Sequence, residues 1–197
     1  MNQLSSTPRT FRQNQNYSKY IIILLILIGF TARLFPHVPN FTPIGALALF
    51  SGLYLSRKWA FFLPLVTMFL SDLVIGFYNP AIMLSVYLSF AAVVGIGFLV
   101  KRKKQFSTVL LGTLCGSILF FLTTNSAVWA FGTMYPNSAS GLLQSYIMAI
   151  PFFKNSLLGD LFYTGVFVGM MEATRSYIKN YQAKKTLRIS LHTTHMD

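Results

Sequence analysis

The chain has 197 residues, 54% of them hydrophobic and 16% aromatic, and only 10% charged; its mean hydropathy is +0.56. Those values exclude an ordinary soluble domain and identify lipid as the solvent. The net charge of +12 would suggest nucleic acid in a soluble chain, but here the basic residues flank apolar runs, so membrane lipid and not nucleic acid is their expected partner.

A spanning helix needs about 20 mainly apolar residues, and on that measure the fold class is an all-α integral membrane protein of six transmembrane helices. Residues 1–18 are polar and lack periodicity, which reads as a disordered cytoplasmic tail. The first span runs from Tyr20 to Phe35; it is too long for the apolar region of a cleaved leader and has no small-residue cleavage site, so it is expected to stay as a signal anchor. The second, Pro43 to Ser56, is short and reads as tilted packing inside the protein or a full crossing. The third covers Lys58 to Phe77, the fourth Ala81 to Val100 and the fifth Phe106 to Phe131. A polar stretch, Thr133 to Ser140, then leads into an apolar run containing Pro151, which cannot donate a helical hydrogen bond. That run is read as two pieces, an interfacial or re-entrant helix from Leu142 to Ile150 and a sixth span from Asn155 to Ala173. Residues 19–175 form one transmembrane domain, and 176–197 a basic, disordered cytoplasmic tail.

Lys and Arg in short loops are retained on the cytoplasmic side. Arg9, Arg12 and Lys19 precede the first span; Arg57 and Lys58 join spans two and three; Lys101 to Lys104 join four and five; Arg175, Lys179, Lys184, Lys185 and Arg188 follow the sixth. Six spans with both termini cytoplasmic put fourteen of the sixteen basic residues on one side. The compact loops suggest a bacterial cytoplasmic membrane.

Only four acidic residues occur in the chain, and Asp72 and Asp160 fall inside apolar spans. A carboxylate there costs about 2.5 to 3.5 kcal/mol on insertion scales, so it faces protein or a polar cavity. The two basic residues outside the cytoplasmic set, Arg33 and Lys154, lie near the outer ends of spans one and six. At 1.5 Å per residue, Arg33 and Asp72 both come to roughly 20 Å above the cytoplasmic side. Asp160 and Asn125 are expected at similar height, Trp129 shares a helical face with Asn125, and His37 follows Arg33 by the same interval of four.

Each of these has a packing explanation. An Arg33 pair with Asp72 or Asp160 would be a helix staple, Asn125 interhelical glue and Trp129 an aromatic-belt residue. Their convergence at one depth instead favours a small-solute site. In that site Arg33 and His37 hold an anionic or carbonyl group, Asn125, Asn155 and Asp160 orient hydrogen-bonding groups, and Trp129 stacks on the ligand. Lys154 neutralises an anion at the mouth, and Asp72 orients Arg33 or fixes the turn after span three.

Small-residue spacings at Ala48/Gly52, Gly112/Gly116 and Gly165/Gly169 permit close helix contact. Cys115 is alone in an apolar span and reads as inert. His192 and His195 lack companions at ligand spacing, so no metal is expected. The sequence has no P-loop, no H-E-x-x-H and no G-x-S-x-G, so the chain is not expected to be an enzyme or to carry a cofactor. An enzyme built on Asp72 and Asp160 would need those carboxylates close together.

The blocks "RLFPHVPNFTPIGALALFSG" (33–52), "PLVTMFLSDLVIGF" (64–77), "TNSAVWAFG" (124–132) and "IPFFKNSLLGDLFYTGVF" (150–167) resemble an uncharacterised family of small bacterial membrane proteins described as transport proteins. More distantly, the six-span layout and the "SD" element of span three look like the S components of energy-coupling factor transporters. That likeness implies a solute, such as a vitamin, bound near the outer face, and a separate membrane coupling subunit with two ATPases as partner. The first span offers only Gly29 and Ala32 where S components commonly dock, leaving Ala48 with Gly52 as the substitute face. The expected function is small-solute membrane transport; the alternative is a non-catalytic scaffold subunit of an envelope complex.

Overall fold

A computed structural model of the chain describes residues 9–35 and 38–194, with side chains placed for 22–35, 38–181 and 183. His37 lies outside the described residues, as do residues 1–8 and His195. The described part is all-helical: α1 (Arg9–Leu34), α2 (Ile44–Tyr54), α3 (Arg57–Ile75), α4 (Pro80–Val100), a 3-10 turn (Lys101–Lys103), α5 (Phe106–Phe131) and α6 (Ala139–Thr194). Three stretches, Arg57–Ile75, Pro80–Lys103 and Phe106–Phe131, are helices long and apolar enough to cross a membrane.

The short α2 organises the rest. Nine of its eleven residues are buried, because a helix that is apolar on every face can only be an interior element. It packs against α3, α4, α5 and α6. Its length, about 16 Å at 1.5 Å per residue, is roughly half the 30 Å of a hydrocarbon core, so α2 by itself is packing inside the protein, and a crossing in this stretch needs the non-helical residues before it as well. It meets α4 backbone to backbone: a Cβ added at Gly97 would lie 2.9 Å from the Gly52 Cα, and one added at Gly52 would collide with the Val94 carbonyl. Ala48 and Gly52 are fully enclosed. The docking face expected there is therefore spent within the chain.

Local chemistry sets the helix ends. Asn79 caps α4, its Oδ1 accepting from the Ala81 and Ile82 amides, while its Nδ2 donates to the Phe131 carbonyl at the end of α5; Pro80 follows at the first helical position, where its missing N–H costs nothing. A capping box, Gln105 with Thr108, starts α5. Gly76, at φ 107°, ends α3 in a conformation that a side chain would strain.

Two expectations fail at the termini and at Pro151. Helix α1 begins at Arg9 and α6 continues to Thr194, so the described parts of both tails are helical; Gln, Lys, Arg, Ala and Leu are good helix formers even without an apolar face. The chain also passes through Pro151 without a break. A proline removes one hydrogen bond and crowds the preceding turn, and here the ring contacts of Phe121 with Phe153 and Tyr146 hold α6 against α5 on both sides of it.

Candidate functional site

The polar residues expected in one layer fall into three groups. The first joins α1, α3 and α4. Arg33 Nη1 donates to Asp72 Oδ1 at 2.9 Å and to Ser71 Oγ at 2.6 Å, and the Tyr87 hydroxyl donates to Asp72 Oδ2 at 2.8 Å. Asp72 is 1% exposed, so both carboxylate oxygens are occupied by protein. Tyr78, in the α3–α4 connection, has its phenol held above the ordinary range by partial burial first and by the Asp72 charge second, with Arg33 opposing.

The second group joins α2, α5 and α6 around Asp160. Its Oδ2 accepts from the Ser117 hydroxyl at 2.7 Å, and the Ala46 backbone N–H also donates to the carboxylate. Ala46 is in the first turn of α2, whose preceding residue, Pro43, provides no side-chain cap. One orphan amide of that turn is thus met by a carboxylate from another helix, where the positive end of the helix dipole favours a negative charge. The fit needs Gly45: a Cβ at that position would fall on the Asp160 carboxyl group. No Lys, Arg or His forms an ion pair with Asp160 among the described residues.

Asp160 and Ser117 line a cavity of about 70 Å³, shared with Asn40, Thr42, Thr113, Ser156 and Thr164. The Thr164 hydroxyl is the unusual member, since Thr164 is 4% exposed and its Oγ1 has no hydrogen-bond partner. Buried hydroxyls are nearly always paired. A second cavity of about 120 Å³ adjoins it, lined by Thr124, Asn125, Phe121 and Phe152, and shares Asn40, Phe120 and Ser156 with the first.

The third group is spent on loops and local bonds. Asn125 Nδ2 donates to the Phe121 carbonyl of its own helix at 2.8 Å, although the residue lines the second cavity. Trp129 Nε1 donates to the Pro136 carbonyl at 3.1 Å, tying down the α5–α6 connection. Asn155 Nδ2 donates to the Pro39 carbonyl at 3.1 Å, which lays the 38–42 turn along α6, where Phe41 packs on Phe162 and Tyr163. Lys154 is exposed. Asp72 and Asp160 share no hydrogen-bonding partner, and α2 stands between their helices.

Seven polar lining residues escaped the sequence reading: Asn40, Thr42, Thr113, Ser117, Thr124, Ser156 and Thr164. A signal for four of them was present. Thr113, Ser117 and Thr124 recur at helical spacing along one face of α5, and Thr164 follows Asp160 by four.

The chain matches, over residues 13–183, the family described as "Family of unknown function (DUF6580)". It belongs to that family. The match spans the whole bundle, from within α1 to well beyond Glu172, so the Arg33–Asp72 pair and the Asp160 cavity both lie inside the family's common region. No curated protein and no solved structure matches the chain. The family resemblance read from the four sequence blocks thus holds, and no comparison extends it to S components.

Proposed function

We propose that this family member is a six-span, small-solute membrane transport protein of the bacterial cytoplasmic membrane, with both termini cytoplasmic. The solute enters from the outer side, through the cavity at Asn125, to the cavity at Asp160. One observation carries the reading: a half-length helix buried in the bundle presents its N-terminus, through Asp160, to a cavity whose lining includes Thr164, a residue with a buried, unpaired hydroxyl. Discontinuous helices whose ends meet near the bilayer midplane are the usual construction of solute sites in transporters, and non-helical backbone such as residues 38–43 is tolerated at that depth only within protein or along a cavity.

The chemistry selects the solute. No cation among the described residues pairs with the Asp160 carboxylate, and the Thr164 Oγ1 is free to accept or donate. The Arg33 guanidinium expected to hold an anion is taken up by Asp72 and Ser71. A small neutral or cationic solute with N–H or O–H donors fits; an anion does not. At about 70 Å³, the inner cavity takes a few waters or a few heavy atoms, so a vitamin-sized solute would require α5 and α6 to part. Energy for uptake would come from a separate coupling subunit with ATPases, since the sequence carries no P-loop.

The test is native mass spectrometry of protein in mild detergent, with Thr164→Val and Ser117→Ala alongside. A discrete small mass retained by the wild type and lost in both variants supports transport. The alternative, a scaffold subunit of an envelope complex, is favoured by a specific observation of its own: Asp72 and Asp160 are both held by the chain's own donors. A stable, solute-free protein that carries a stoichiometric protein partner would decide for it.

A further inference from the structure

Helices α5 and α6 are bound together from the middle of the bundle outward and part below it. Their hydrogen bonds and ring contacts run from Ser117–Asp160 through Phe121–Phe153 to Ser126–Tyr146. The next tie toward the cytoplasm is Lys104 to Glu172, at 2.6 Å. Between them lies an apolar groove of about 450 Å³ walled by residues such as Val109, Leu110, Leu161 and Val168. Gly165 and Gly169 line it too, and a Cβ at either would meet nothing within 4 Å. Those glycines do not serve helix contact; they leave the groove open. From Asp160 to Glu172 is twelve residues, about 18 Å of helix, close to the depth of one leaflet of a 30 Å hydrocarbon core.

Charge gathers at the cytoplasmic mouth. Lys104 Nζ and the Arg175 guanidinium lie 4.5 and 4.7 Å from the Tyr54 ring centroid. Both contact Glu172, at 2.6 and 3.7 Å, and Tyr54 donates to that same carboxylate at 2.6 Å. One carboxylate between two cations leaves the mouth positive, with the Lys101–Lys103 turn directly before Lys104. An apolar slot of leaflet depth ending in fixed cations at the cytoplasmic surface has the chemistry of an anionic lipid: chain in the slot, phosphate among the cations.

We propose that the lower α5–α6 groove binds one anionic phospholipid of the cytoplasmic leaflet, with its phosphate at Lys104 and Arg175. This site is independent of the solute reading, although the two share Thr113 and Thr164 as a wall, so a chain in the groove closes the cytoplasmic side of the inner cavity.

Thermal unfolding of the full chain in mild detergent, titrated with phosphatidylglycerol or with phosphatidylcholine of the same chains, tests it. Phosphatidylglycerol is expected to raise Tm by several degrees more than phosphatidylcholine, with one lipid retained in native mass spectrometry. Gly165→Leu with Gly169→Leu, at positions where a Cβ meets nothing within 4 Å, fills the groove and is expected to abolish both effects while the protein stays folded; Lys104→Gln with Arg175→Gln is expected to erase the preference for the anionic lipid. Equal stabilisation by the two lipids overturns the proposal, as does a preference that survives filling the groove. Stabilisation by inorganic phosphate equal to that by the lipid would assign the mouth to a free anion and overturn it too.

Discussion

The Asp160 carboxyl group occupies the space that a β-carbon on Gly45 would need. That single relationship fixes α6 to the N-terminus of α2 and sets the floor of the inner cavity. Gly45→Ala forces the carboxylate away from the Ala46 amide and Ser117, and overpacking of this kind costs about 1 to 3 kcal/mol. A clear fall in Tm is expected. Gly95→Ala, where a Cβ meets nothing within 4 Å, is the matched control and is expected to be neutral or to gain up to about 1 kcal/mol from helix propensity.

Gly52 and Gly97 hold α2 and α4 at backbone contact, so Gly52→Leu is expected to prevent assembly of the bundle, and not merely to release a partner. Expression of monodisperse protein in detergent is the readout. A folded Gly52→Leu protein would mean that α2 can leave α4, against the close approach of Gly52 to the Val94 carbonyl.

The Arg33–Asp72 pair is a staple in its geometry, and staples behave distinctively on mutation. Removing one partner of a buried pair costs about 3 to 5 kcal/mol, whereas replacing both by apolar groups is often nearly neutral. Arg33→Met and Asp72→Leu are each expected to destabilise more than the double substitution does. Tyr87→Phe, which removes only the hydroxyl donated to Asp72, is expected to cost about 1.5 to 3 kcal/mol. Thermal melts of the four proteins close the cycle.

How much of this could be read from the sequence differs by residue, and the reasons are physical. The apolar runs of α3, α4 and α5 are plain because a membrane allows little else. The Arg33–Asp72 encounter follows from matching heights, which depend only on helical rise. Asp160 stands out by its cost, but its backbone partner does not, since an amide in the first turn of α2 carries no side-chain signature. Heights from span ends place Asn125 level with Asp160, but the two residues line neighbouring cavities joined by Asn40 and Ser156. The break expected at Pro151 did not occur because tertiary ring contacts outweigh one lost hydrogen bond.

Thr164 separates the two readings of the protein most sharply. Its hydroxyl is buried and unpaired, and leaving a buried polar group unsatisfied costs about 1 to 3 kcal/mol. Valine has nearly the same shape and no hydroxyl. If the inner cavity exists only as a packing imperfection in a scaffold, Thr164→Val removes that cost at no expense, and stability rises while assembly with partners is unchanged. If the hydroxyl is held ready for a solute, the same substitution raises the Tm of the empty protein but reduces solute affinity by about 10-fold or more, the worth of one buried hydrogen bond. Melting curves with and without solute measure both quantities on one sample. A stability gain accompanied by loss of the solute-induced shift identifies Thr164 as a binding residue; a gain with the shift intact places the solute elsewhere.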